Sequence, residues 1–221
     1  MRRLLKNFVP RPLKRFILEN ETIRRQQAVD RLAKVPIQKK HIENCELVLN
    51  RFEMLQRLGS QAVVAELGVN RGEFSETIIQ ELAPEKLHLV DIWHTERYND
   101  GLYREIQAKF ATEIESGKVE IHRDLSTDAA PAFADDYFDL VYIDTDHSYE
   151  TTRDELNAYA SKVKPNGILS GHDYSMGNWV GSFRYGVIEA VHEFCVQSNW
   201  ELRYLTCEPL ESQSFAIRRI Q

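Results

Sequence analysis

The chain has little of what marks the specialised protein classes. Cysteine occurs three times in 221 residues, as Cys45, Cys195 and Cys207. An odd, scattered set without a C-x-x-C pair excludes a disulfide framework and a zinc ribbon, and suits reduced thiols in a cytoplasmic protein. Basic charge is in deficit. Lys plus Arg number 28 against 34 Asp plus Glu, a formal charge of −6, which argues against nucleic acid as the main partner. No apolar run approaches the roughly 20 residues needed to span a bilayer. Internal repeats and low-complexity tracts are missing too. The length fits one domain with an appendage and is enough to bury a sizeable core.

What is present is chemistry at the ends of apolar runs. Phe138-Asp-Leu-Val-Tyr-Ile-Asp-Thr-Asp-His-Ser-Tyr-Glu150 and, downstream, Gly167-Ile-Leu-Ser-Gly-His-Asp-Tyr174 each pass abruptly from apolar residues to acids and a histidine. Buried parallel strands read as continuous apolar runs, and ligands in open α/β sheets collect beyond their carboxyl ends. Asp144, Asp146, His147, His172 and Asp173 are therefore expected on one rim. Carboxylates with imidazole suit a hard or borderline divalent metal. A single such ending would read as a solvated loop, whereas two together point to a site.

Strand and helix signals alternate along the chain. Ala62–Leu67, Lys86–Val90, Val119–His122, Phe138–Ile143 and Ile168–Ser170 read as strands. Helices are expected over Gly72–Leu82, Leu102–Ile114, Thr127–Phe133, Tyr149–Val163 and Val187–Gln197. Two closing strands, Glu201–Thr206 and Ser214–Ile220, have no helix between them. This pattern predicts an α/β fold: a doubly wound, Rossmann-like, mostly parallel seven-stranded sheet with an antiparallel C-terminal hairpin. Residues 1–58 are expected to form an N-terminal helical arm, helical from about Thr22 to Arg57 with an interruption near Pro36. Residues 59–221 form the main domain, entered through Gly59-Ser60. Before Glu19 the arm carries only basic charge, among Leu4, Leu5, Phe8, Leu13, Phe16 and Ile17. Pro10, Pro12 and the charges break any secretory signal. The arm suits peripheral contact with an anionic membrane, or packing on its own core or on a second subunit as a homo-oligomer.

The first strand-to-helix turn reads Glu66-Leu-Gly-Val-Asn-Arg-Gly72. It is G-x-x-x-G, not the dinucleotide G-x-G-x-x-G. An acid in this turn repels a pyrophosphate and suits a cationic or zwitterionic ligand, and Asp91 at the second strand end can accept from two ribose hydroxyls. Together they suit a nucleoside carrying an amino acid. With Val90-Asp91, Ile143-Asp-Thr-Asp-His-Ser-Tyr-Glu150 and Gly171-His-Asp-Tyr174, the chain from about Gly59 onward resembles the class I S-adenosylmethionine-dependent methyltransferases. Within them it is similar to the metal-dependent small-molecule O-methyltransferases of sugars and macrolide sugars. The resemblance implies that Glu66, Gly68, Asn70, Gly72 and Ser75 hold the methionine end of the cofactor, and that Asp91 takes the ribose. It places Asp124 and Ser126 near the adenine and Asp144 at the cofactor and the metal alike. Mg²⁺ or Mn²⁺ would fall to Asp144, His172 and Asp173, although position 172 is often acidic in relatives. His147 is the implied base.

A hydroxyl must lose its proton to attack a sulfonium methyl, and an imidazole near neutrality suits that transfer. The loops Trp93–Gly101, with His94 a weaker substrate contact, and Tyr174–Gly186 are expected to select a hydroxylated small molecule. Lone His41, His88, His122 and His192 read as ordinary core or surface residues. Two alternatives stand beside this reading: a metal-dependent hydrolase on a Rossmann-like fold, and a non-catalytic, membrane-associated binding protein.

Overall fold

The structure is a computed structural model that describes residues 11–58, 62–178, 180–181, 183–209 and 211–221, with side chains from residue 16 onward. Gly59 and Ser60, the expected punctuation before the domain, and the first ten residues of the basic segment lie outside the described residues. The chain divides into two compact units, Met1–Lys34 and Val35–Gln221. In the first, α1 (Arg11–Arg31) is a single helix. Glu21–Arg25 and Asp30–Lys34 are i,i+4 ion pairs at 4.0 Å each, while Phe16, Ile17, Leu18 and Ile23 are exposed. No helix among the described residues is long and apolar enough to cross a membrane.

Residues 22–31 are helical as expected, and the second unit corrects the helical reading beyond Pro36. Past a 3₁₀ turn at Lys39–His41 the chain forms β1 (Glu46–Val48) and then α2 (Arg51–Gln56), which is capped by Asn50. β1 pairs in parallel with β9 (Trp200–Thr206), Glu46 opposite Tyr204 and Val48 opposite Thr206. The break expected at residue 58 therefore differs from the observed division, which falls after Lys34. A three-residue strand is too short to show a period of two, so only its partner strand reveals it.

The rest of the unit alternates as expected: β2 (Val63–Leu67), α3 (Glu73–Leu82), β3 (Lys86–Val90), α4 (Asp100–Lys109), α5 (Ala111–Glu115), β4 (Val119–His122) and α6 (Ser126–Ala129). Then come β5 (Phe138–Ile143), α7 (Tyr149–Ala160), β6 (Val163–Gly171), the short β7 (Gly177–Asn178) and β8 (Phe183–Arg184), α8 (Val187–Ser198), β9 and β10 (Phe215–Arg219). The expected helix over 102–114 is two helices meeting at Phe110. Among the described residues eight strands, one more than expected, form the main sheet in the order β1-β9-β10-β6-β5-β2-β3-β4. β10 runs antiparallel between β6 and β9, and β2 to β6 are mutually parallel. β7 and β8 form a separate antiparallel ribbon.

Strand side chains alternate between faces. Ala65, Leu67, Val141 and Ile143 therefore enter one core layer, with Leu156, Ala190 and Phe194 of the helices. Val64, Leu140 and Tyr142 enter the other, with Phe74 and Ile78. Burial on both faces explains why these strands read as unbroken apolar runs. It also leaves the strand ends as the place where polar side chains gather.

Candidate active site

The turn after β2 is pressed against the end of β5. Leu67 C=O accepts the Asp144 N–H at 2.8 Å, and the Gly68 N–H donates to Val90 C=O at 2.9 Å. Gly68 has φ +86°, and a Cβ there would stand 2.0 Å from the Asp144 carbonyl oxygen. Only glycine meets both demands. Asn70 (φ 53°) and Gly72 (φ 67°) complete the turn into α3. Asp91 ties it down: Oδ2 accepts from the Val69 and Asn70 N–H groups at 2.9 Å each, and Oδ1 from Trp93 N–H at 3.3 Å. A carboxylate offers about four lone-pair sites, so Asp91 keeps accepting capacity for a ligand while it shapes the loop.

Glu66 is almost wholly buried and accepts a hydrogen bond from the Ser75 hydroxyl. Burial, opposed by that bond, raises its pKa to about 8. Ser126 and Thr145 both donate to the buried Glu155, at 2.5 and 2.9 Å, and burial raises Glu155 to about 7. One carboxyl in α7 thus joins the loop after β4 to the loop after β5. The sequence signal for Glu155 is an acid on the buried face of α7, with Thr152, Leu156 and Tyr159. Asp124 is exposed, and its carboxylate accepts the Leu125 N–H at 2.9 Å.

These raised pKa values have a stability consequence. The native state holds protons on Glu66 and Glu155 that the unfolded chain releases above the ordinary carboxyl value of 4.5. Stability therefore falls as pH rises from 4.5 toward 8. Glu66→Gln keeps an oxygen for Ser75 and removes one of the two ionisations. Thermal melts should show a higher Tm than wild type at about pH 8 and a shallower decline from about pH 5; an unchanged decline would assign the effect to other groups.

At the ends of β5 and β6 the expected acids converge. The donor atoms of Asp144, His147 and Asp173 all lie within 4.8 Å of one another. His147 Nδ1 is 3.1 Å from Asp173 Oδ2 and 4.0 Å from Asp144 Oδ1. Both His147 (φ 62°) and Asp173 (φ 56°) have left-handed backbones, the kind of local strain that collects at functional sites. Gly186 N–H donates to His147 C=O at 2.9 Å, and the Tyr185 ring meets the imidazole edge-on at 4.9 Å. The loop after β6 thereby reaches the site.

Burial raises the Asp144 pKa, and Asp173 adds to the rise against His172 and His147. Burial would also raise Asp173, but the hydrogen bond from His172 and the His147 charge outweigh it and leave the pKa lowered. His172 stands apart from the three-residue donor group. Its Nδ1 is 3.4 Å from Asp173 Oδ2, and its buried Nε2 has no partner among the described residues. Burial would lower His172, and the Asp173 bond with the two carboxylate charges raises it instead. Asp146 serves the start of α7, accepting from Ser148 N–H and Thr151 Oγ1 at 2.9 Å each. His94 is exposed on the loop after β3.

Arg51 is a site residue that the sequence does not disclose. It opens α2, lies 4.7 Å over the Phe74 ring, and pairs with Glu211 at 3.3 Å. Burial would lower its pKa, but Tyr142, Glu211 and Asp144 outweigh that and raise it. In a segment read as a helical arm, one arginine carries no signal.

An open parallel sheet whose first turn carries an acid, and whose second strand ends in Asp91, is the architecture of the class I S-adenosylmethionine-dependent methyltransferases. Residues 65–174, half of the chain, match the family described as a methyltransferase domain, and the chain belongs to that family. The match speaks for methyl transfer over the hydrolase alternative. The fold superposes on the pyocyanin biosynthetic protein PhzM with a TM-score of 0.58 at 12% identity, over 76% of this chain and 54% of that one. The tRNA methyltransferase TrmK of B. subtilis gives 0.56 at 12% identity, over 80% and 68%. The methyltransferase CalH, in complex with SAH, gives 0.52 at 13% identity, over 77% and 55%. The chain thus spans about half the length of PhzM and CalH. These likenesses show the fold, and they include an enzyme of RNA as well as a biosynthetic protein. No curated protein matches the sequence.

Proposed function

We propose that this methyltransferase is an O-methyltransferase that works with a divalent metal on a hydroxyl of a small molecule, with a sugar as the favoured acceptor. The observation that carries this reading is the pairing of His147 with Asp173 beside Asp144. The Asp173 carboxylate holds Nδ1 of the imidazole, which leaves Nε2 to take a hydroxyl proton. As the acceptor oxygen bonds to the methyl carbon, the carbon–sulfur bond breaks. The leaving group is neutral adenosylhomocysteine, and the proton stays on His147.

The donor set fits a hard cation. Asp144 and Asp173 face each other within 4.8 Å, and neither pairs with a lysine or arginine among the described residues. Two carboxylates so placed repel unless a proton or a cation lies between them. Mg²⁺ or Mn²⁺ held there would stabilise the negative charge that develops on the acceptor oxygen. His172 would then steady Asp173 from the protein side. On the opposite side of the cofactor turn, Asp91 and the backbone it shapes would take the nucleoside. The Phe183 and Tyr185 rings, 5.8 Å apart, provide an apolar wall beside the base, suited to the C–H face of a sugar ring.

Titration calorimetry with adenosylhomocysteine, with and without Mg²⁺ or Mn²⁺, tests the two halves separately. Cofactor binding should persist after chelation, while methyl transfer to a vicinal diol should stop and return with either ion. No cofactor binding would overturn the methyltransferase mechanism; undiminished transfer by stripped enzyme would overturn only the metal.

A further inference from the structure

The β3–β4 edge of the sheet carries a second group of metal-ligand side chains. We propose that His88, Glu120 and His122 form a binding site for a borderline transition-metal ion of the Zn²⁺ class, separate from the acid rim. His88 and Glu120 are register partners on β3 and β4, and His122 lies two residues beyond Glu120. All three side chains therefore share one sheet face.

Their donor atoms already converge. His88 Nδ1 is 2.9 Å from His122 Nε2, Glu120 Oε1 is 3.7 Å from His122 Nε2, and Glu120 Oε2 is 4.0 Å from His88 Nδ1. Around tetrahedral zinc, with bonds of about 2.0–2.1 Å, neighbouring donors stand roughly 3.3 Å apart. The His88–His122 and His122–Glu120 Oε1 separations bracket that value, and one donor atom from each of the three residues lies within 4.8 Å of the others, so small rotamer shifts suffice. The remaining nitrogen of His88 is also anchored: Nε2 meets the Tyr137 hydroxyl at 3.0 Å. Ligating imidazoles are commonly oriented by such a partner. Phe133 and Phe138 pack edge-on against His88 and exclude water on that side. Glu120 is half exposed, which leaves an open position for water.

Burial lowers His88 to about 4 and also lowers His122. That direction favours the neutral ring, the form that binds metal. Lys86 Nζ holds Glu120 Oε2 at 2.8 Å, so Oε1 is the oxygen left for the ion. Two imidazoles with one carboxylate select zinc-like ions over Mg²⁺. The site does not depend on the function proposed for the rim.

Zn²⁺ calorimetry and Co²⁺ absorption on the full chain test it in an Asp144→Asn/Asp173→Asn background, which silences the rim. That variant should still bind one Zn²⁺ and show the visible bands of low-coordinate Co²⁺. Adding His122→Asn should weaken Zn²⁺ about 100-fold or more, and adding Glu120→Gln about tenfold. Because Glu120 lies at the surface, its variant keeps the test valid if His122→Asn fails to fold. Absence of Zn²⁺ binding in the rim-silenced protein, or binding indifferent to both substitutions, would overturn the site and leave the imidazoles as a pair sharing one proton.

Discussion

His147→Ala is expected to lower methyl transfer about 10²–10⁴-fold, the usual contribution of a positioned general base, with adenosylhomocysteine affinity unchanged. The expectation follows from the 3.1 Å contact of Nδ1 with Asp173 Oδ2. One ring nitrogen is engaged by a carboxylate and the other remains to accept a proton. A sugar hydroxyl is a poor acid, so transfer from it depends strongly on such a group. Added imidazole should restore part of the lost rate. The same variant also tests the competing role for His147, because its Nδ1 lies where a metal ligand would. Calorimetry with Mn²⁺ should show unchanged metal affinity if His147 is the base. A large loss of metal affinity without rescue by imidazole would move His147 into the ligand set and leave the base to be found elsewhere.

Gly68→Ala should be the most disruptive single methyl in the protein. A non-glycine residue at φ +86° carries a backbone penalty of about 1–3 kcal/mol. The added Cβ would also lie 2.0 Å from the Asp144 carbonyl oxygen, and that obstacle is backbone, not a flexible side chain. The carbonyl sits at the end of β5, in the middle of the sheet, so either the turn or β5 must move. Overpacking of this kind costs typically about 1–3 kcal/mol more. Urea denaturation should show the loss as a lower midpoint with an unchanged slope, and calorimetry should show cofactor binding weakened together with it. Gly72→Ala is the control. It too has a positive φ, but its Cβ would meet the Phe110 ring at 2.7 Å, a side chain and not a strand backbone. If Gly68→Ala proves as mild as Gly72→Ala, the turn is less tightly held against β5 than the structure shows.

Most of the sheet was legible because its strands are buried on both faces. Ala62–Leu67 and Phe138–Ile143 could be read from apolar runs alone, and the acids that follow Phe138–Ile143 marked the rim. β1 was hidden because three residues, two of them exposed, cannot display a period. Arg51 and the His88–His122 pair were hidden for a related reason. Residues 34 apart join one cluster only when β3 and β4 pair, and the charge of an arginine on a short helix acts on Asp144 only when α2 packs beside α3.

The sequence by itself determined the class of fold, the acid-bearing turn, Asp91 at the second strand end, and the residues available for chemistry at Asp144, His147 and Asp173. These follow from local rules, since strand burial dictates composition and a tight turn demands glycine. Only the tertiary structure decided how those residues are used. It set Nδ1 of His147 on Asp173 and placed His172 outside the donor group. It bonded Glu66 to Ser75, and it joined β1 to β9 across more than 150 residues. Such outcomes depend on which strand ends become neighbours and how deeply each carboxyl is buried, and both are properties of packing.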